Sequence, residues 1–164
     1  MYGAKLVFVL DTSGSMRGPR IEAAKRELTK ALSELPDGVQ FNVLAFNVRV
    51  FPWQQQLVTS SRESRLAAAL FVQSQELGPA TASYDALEAA LTMPTEAIYF
   101  LTDGAPAGGK ITRPDEIVNV ISKINRLRRV TINCIGIGVN DVRFESFLKT
   151  LSAQNFGAFR RVDE

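Results

Sequence analysis

Two acids carry the chemistry of this chain, each placed directly behind a run of apolar residues and ahead of a turn. Asp11 follows Leu6-Val7-Phe8-Val9-Leu10, and Asp103 follows Ala97-Ile98-Tyr99-Phe100-Leu101 and Thr102. Behind Asp11 come Thr12, Ser13, Gly14 and Ser15. An acid followed by hydroxyls at alternate positions on a tight turn can aim Asp11, Ser13 and Ser15 at one centre. A centre made only of oxygen suits a hard cation. The chain has no histidine, which removes Ser-His-Asp and Cys-His nucleophile systems, histidine metal sites and the commonest general base. The single Cys134 cannot form an internal disulfide and reads as a small core residue.

The apolar runs before the two acids have the pattern of strands covered on both faces, as in the middle of a parallel sheet. Such strands cannot bury a carboxylate, so both acids belong at strand ends. From Pro19 a helix is expected with Ile21, Ala24, Leu28, Ala31, Leu32 and Leu35 on one face, stopped by Pro36-Asp37-Gly38. Val39 to Phe46 reads as a strand, and Val48 to Phe51 as a short antiparallel edge strand ended by Pro52. Trp53 and the glutamines after it read as an irregular loop, with the indole tucked over the sheet edge.

Thr59, Ser60 and Ser61 offer caps for a helix running to about Leu77, with Leu66, Ala69, Leu70, Val72 and Leu77 as its apolar positions. A further helix is expected from Tyr84 to about Thr92, capped by Ser83. Thr112 and Asp115 resemble a capping box around Pro114, opening a helix whose buried face is Ile117, Val120, Ile121, Ile124 and Leu127. Arg126, Arg128 and Arg129 fall in its last turn, where cations complement the helix dipole; this reading is preferred to an anion-binding patch. Val130 to Val139 reads as a third central strand, Asp141 to about Ala153 as a helix, and Gly157 to Val162 as a final strand.

Strands alternating with helices specify a parallel sheet with helices on both faces. The carboxyl ends of parallel strands share one rim, so Asp11 and Asp103 meet there. The helix from Tyr84 leads down into the strand at Ala97, so its start lies at the upper rim. Nine helical residues span about 14 Å, close to the roughly 17 Å of a five-residue strand, which brings Thr81 to the same rim. If the two strands are neighbours where the winding reverses, this is the crevice in which open α/β folds bind ligands. Taken singly, Ser13 and Thr12 can cap a helix, Thr81 can cap another and Asp103 can make an ordinary turn. Their joint placement behind two buried strands favours a common site.

Asp11-Thr12-Ser13-Gly14-Ser15-Met16, then Thr81 four residues before Asp85 in TASYDAL, then Leu101-Thr102-Asp103-Gly104 resemble the metal-ion-dependent adhesion site of von Willebrand factor A domains. The resemblance runs over nearly the whole chain in element order. It implies a Rossmann-like α/β fold: a doubly wound, mostly parallel sheet of about six strands with one short antiparallel edge strand and helices on both faces. It also implies a metal site of Asp11, Ser13, Ser15, Thr81 and Asp103 holding magnesium, with manganese or calcium as alternatives. The implied partner is a protein that contributes an aspartate or glutamate carboxylate to the metal. Where the family often has a second glycine before the threonine, this chain has Pro79-Ala80.

Composition fits one domain spanning residues 1–164, part of or cut from a larger protein and monomeric by itself: 164 residues, 46% hydrophobic and 22% charged. A net charge of +2, with both signs mixed along the chain, is too small to imply a nucleic-acid or membrane partner, and no apolar run is long enough to insert across a bilayer. A role beside an intracellular ring-forming ATPase is the alternative that the same rim would serve.

Two enzyme readings are set aside. Gly104-Ala105-Pro106-Ala107-Gly108-Gly109-Lys110 has the glycine and lysine spacing of a P-loop. However, Ile111 stands where magnesium needs Ser or Thr, and the next helix starts only after Thr112. Magnesium-dependent phosphoryl transfer through Asp11 lacks the second acid two residues on and a convincing general acid or base.

Overall fold

The computed structural model describes residues 4–164. Its elements, in chain order, are β1 (Lys5–Asp11), α1 (Pro19–Ser33), β2 (Gln40–Phe46), β3 (Val50–Pro52), β4 (Val58–Thr59), α2 (Arg62–Ser74), α3 (Ser83–Thr92), β5 (Ala97–Thr102), α4 (Pro114–Asn125), β6 (Thr131–Ile137), α5 (Val142–Gln154) and β7 (Phe159–Val162). The sheet runs β3-β2-β1-β5-β6-β7, with β4 also on β2. β1 pairs in parallel with both β2 and β5, so the winding reverses at β1. β6 and β7 extend the sheet in parallel, while β3 and β4 both run antiparallel to β2. This is the doubly wound α/β architecture expected. β4 was not expected: at two residues it is too short for a periodic signal.

Every residue of β1 from Val7 to Asp11 is buried, because its two faces feed two separate cores. Phe8 and Leu10 pack with Phe41, Val43 and Leu101 beneath α1 and α2. Val7 and Val9 pack with Phe46, Ile98, Phe100 and Ile132 beneath α3, α4 and α5. Covering both faces produces the continuous apolar run seen in the sequence. Trp53 stacks on Phe41 with ring centroids 5.4 Å apart, over the β2 edge as expected.

Several helix details differ from expectation. α2 ends at Ser74, and Ser61 and Ser64 cap it reciprocally. Its buried residues are Ala68 and Val72, whereas Leu66 and Leu70 are exposed, because α2 packs mainly against α1 and β2. Ser83 is the first residue of α3 and not its cap, and Thr112 and Asp115 form no capping box; Asp115 pairs with Arg113 instead. α4 buries Ile117, Val118 and Ile121, with Ile124 and Leu127 exposed. The reason is Asn125, which is fully buried and bonds both the amide and the carbonyl of Val130 as well as Asn155 Oδ1. Apolar periodicity cannot register an inward-facing asparagine.

Candidate metal centre

The turn after β1 is organised by Asp11 itself. Its Oδ1 accepts from the Ser13 amide at 2.8 Å and its Oδ2 from Thr102 Oγ1 at 2.7 Å, so the two neighbouring strands are tied at their carboxyl ends. The turn closes as one 3-10 turn, Gly14–Met16, anchored by the fully buried Met16. It places Ser13 Oγ and Ser15 Oγ 3.0 Å apart. Asp103, just past β5, accepts from the Ala105 amide at 3.3 Å through Oδ1 and from Arg20 Nη1 at 3.3 Å through Oδ2. The same Arg20 nitrogen donates to the Ser15 carbonyl at 3.2 Å. Asp11, Ser13, Ser15 and Asp103 therefore form one connected cluster.

Thr81 reaches this rim through backbone contacts. The Gly78 amide donates to the Thr12 carbonyl at 2.9 Å, and Gly78 bridges to Ser13. Thr81 exchanges backbone bonds of 2.6 and 3.0 Å with Ala107, in the loop beyond Asp103. The Thr81 loop is thus stitched between the turns that carry the other four residues. Ala80 adopts φ 62°, the left-handed conformation that glycine takes freely and alanine takes at a cost of about 1 kcal/mol. The loop keeps a glycine-like path at the place where Pro79-Ala80 departs from the family pattern.

Burial and the neighbouring charge make the rim unfavourable for ionised Asp11 by itself. Asp11 is 0% exposed and Asp103 5%. Burial first, and the Asp103 charge second, push Asp11 up to about 6, although the bonds from Ser13 and Thr102 pull the other way. A divalent cation relieves both penalties. Among the described residues no three or more His, Cys, Asp or Glu side chains stand close enough to hold a metal, so a cation site here has to use hydroxyls. Two carboxylates with Ser13, Ser15 and Thr81 offer that oxygen set.

A pH dependence follows. A cation held by Asp11 would compete with the proton there, so its affinity should be level above about pH 6 and fall roughly tenfold per unit below it. Calorimetric titration in a series of buffers checks this; an affinity unchanged between pH 7 and pH 5 would remove Asp11 from the binding set.

Three contributors were not identified from the sequence. Thr102 orients Asp11, and a hydroxyl at the end of an apolar run was its only signal. Thr12 donates to the Phe46 carbonyl at 3.0 Å and accepts from Asn47 Nδ2 at 3.3 Å, fixing the turn against β2. Arg20 touches Asp103 from 83 positions away, a contact that no local pattern announces. The glycine-rich loop does not form a phosphate cradle. Lys110 points to Glu88 at 2.6 Å, its amide bonds Asp85 at 2.8 Å, and α4 begins only at Pro114. Cys134 is fully buried, and burial pushes its thiol up, so it is no nucleophile.

A doubly wound, mostly parallel sheet with helices around it and an acid-and-hydroxyl rim at its switch point defines a class of Rossmann-like α/β domains. The chain belongs to the von Willebrand factor type A domain family, whose profile matches residues 4–160. It is 32% identical over 172 residues to inter-alpha-trypsin inhibitor heavy chain H1 of Mesocricetus auratus, a match covering 97% of this chain and 18% of that protein. Among solved structures it is similar to a von Willebrand factor type A protein from Catenulispora acidiphila, with TM-score 0.84, 21% identity, and coverage of 99% of this chain and 39% of that one. It is also similar to proximal thread matrix protein 1 from the mussel byssus, solved with a zinc-occupied MIDAS motif, with TM-score 0.71, 21% identity, and coverage of 98% and 41%. No helix among the described residues is long and apolar enough to cross a membrane.

Proposed function

We propose that this chain is a divalent-cation-dependent protein-binding domain, one part of a longer protein and monomeric by itself, with Asp11, Ser13, Ser15, Thr81 and Asp103 as the cation site. The observation that carries this reading is the fully buried Asp11, raised by burial and by the neighbouring Asp103 charge and set among hydroxyls at the sheet's switch point. That arrangement costs folding energy and is repaid when a cation binds. Magnesium, with manganese or calcium as substitutes, supplies there an open coordination position for a partner's aspartate or glutamate. Asp11 and Asp103 at most neutralise the cation and the hydroxyls add no charge, so an open coordination position can accept an incoming carboxylate. No histidine is present anywhere in the chain, and Asp11, the site acid raised toward neutrality, is fully buried with both oxygens engaged by Ser13 and Thr102, which favours binding over catalysis.

The kinship with inter-alpha-trypsin inhibitor heavy chains and with a MIDAS-bearing byssus protein is in keeping with an interaction module. Calorimetry of the metal-free domain with magnesium and then manganese tests the proposal. One saturable site, lost in Asp103→Ala, is expected. Equal cation binding by the variant, or protein-partner capture undiminished by a chelator, overturns it.

A further inference from the structure

The end of the fold opposite the metal rim carries a cationic and apolar tip. α4 ends at Asn125, and the turn beyond it, with the last turn of the helix, exposes Lys123, Ile124, Arg126, Leu127, Arg128 and Arg129. The dipole of α4 complements Lys123 in its last turn and Arg126 at its cap, but Arg128 and Arg129 lie beyond the helix, not in the last turn expected from the sequence. Arg128 donates to the carbonyls of Met93 and Thr95, at the end of α3, at 2.8 and 3.4 Å. Among the described residues the side chains of Arg126 and Arg129 donate to no carbonyl; only their backbone amides do, to Lys123 and Asn125. Among the described residues no carboxylate lies within ion-pair distance of Lys123, Arg126, Arg128 or Arg129.

Apolar side chains are interleaved with these cations at a cost the fold does not recover. Leu127 is 93% exposed and Phe156 57%. Phe156 stands beside Arg129, whose guanidinium lies 5.8 Å from its ring centre. Both residues adopt left-handed backbone, φ 56° at Arg129 and φ 63° at Phe156, each at the stop of a helix where glycine is the usual occupant. Arg129 closes its stop through the Asn125 carbonyl at 2.9 Å, and Gly157 closes the other through Ser152 at 2.9 Å. The buried Asn125–Asn155 bond of 3.0 Å locks the two stops side by side. An arginine and an aromatic ring held in an unfavourable backbone conformation and left in solvent point to a partner outside the domain.

We propose that this tip docks the domain on an anionic phospholipid surface. The cations meet the headgroup charge, and Leu127, Phe156 and Ile124 enter the headgroup and acyl boundary. Charge complementarity selects an anionic partner. The protruding leucine among arginines selects a bilayer, which can accept apolar side chains anywhere on its surface, over a soluble acidic chain. Because the tip lies at the amino ends of the strands, docking leaves the metal rim facing away from the membrane and free for a protein partner.

Flotation with vesicles of phosphatidylcholine, with or without about 30% phosphatidylserine, tests this with a chelator present so that the metal site takes no part. Partitioning onto the anionic vesicles is expected to exceed that onto neutral ones at least tenfold. Lys123→Gln with Arg126→Gln should reduce it roughly tenfold or more, from loss of two charges. Leu127→Ser with Phe156→Asn should reduce it about tenfold at unchanged charge; asparagine tolerates left-handed backbone, and unchanged circular dichroism and melting temperature report an intact fold. No preference for anionic vesicles overturns the proposal. Undiminished binding by the apolar pair also overturns it, because the tip is then a charge-only site for any polyanion.

Discussion

Asp11→Asn is expected to abolish cation binding, by at least a hundredfold, and at the same time to stabilise the cation-free domain at pH 7. The two effects have one cause. Asp11 is fully buried, and burial together with Asp103 raises it from 3.8 to about 6. At neutral pH it is ionised in spite of that rise, which costs the cation-free fold on the order of 3 kcal/mol. For a carboxyl whose folded value is raised, stability is greatest below the unfolded value near 4 and is lost as pH climbs through about 6. The asparagine variant has no such loss. Its side-chain oxygen still accepts from the Ser13 amide, and its amide donates to Thr102 in place of accepting from it. Urea unfolding of both forms at pH 4 and pH 7, with and without magnesium, measures the cycle. The wild-type domain should gain stability from magnesium at pH 7, and the variant should gain none. A variant less stable than wild type at pH 7 without cation would mean that Asp11 is a structural acid and not a ligand held in wait.

Gly157→Ala should be the most damaging glycine-to-alanine change among the described residues. A Cβ at that position would lie 1.9 Å from the Ile132 carbonyl oxygen and 2.5 Å from its carbon. Both are backbone atoms of β6, and neither can swing away as a side chain would. Ile132 is held on this side by its own amide bond to the Asn155 carbonyl at 2.9 Å, and Gly157 by its bond to Ser152. Relief therefore requires prising β6 from the loop before β7. A loss of at least 4 kcal/mol is expected, or roughly 10 °C or more in melting temperature for a domain of this size. Gly14→Ala is the matched control, since no atom lies within 4 Å of its added carbon; it should shift stability by under about 1 kcal/mol. Near-equal melting temperatures for the two variants would contradict the close approach at Gly157.

The fold was legible wherever burial is one-dimensional. Two-sided burial writes an unbroken apolar run, as in Val7 to Leu10 and Ile98 to Leu101, and crossover helices write an apolar stripe, as in α1 and α5. Legibility failed where packing depends on what lies alongside. Leu66, Leu70, Ile124 and Leu127 have the spacing of a buried face, yet α2 turns a different face to α1 and β2, and α4 is turned by an inward asparagine. A hydrophobic residue satisfies the periodicity whichever neighbour it finds, so periodicity alone cannot distinguish a core stripe from an exposed one.

The sequence by itself determined the alternation of strands and helices, the placement of Asp11 and Asp103 behind buried strands, and the spacing of Ser13 and Ser15 on a tight turn. These are local consequences of side-chain type: acids are excluded from strand interiors, and small hydroxyl residues fit turns. Only the tertiary structure decided that β1 and β5 are neighbours, that Thr102 reaches across to Asp11, that Arg20 lies against Asp103, and that Ala80 keeps a strained path delivering Thr81 between the other loops. Each of those contacts joins positions far apart in the chain. Their closure entropy is met by the burial of the whole sheet and not by any local pattern.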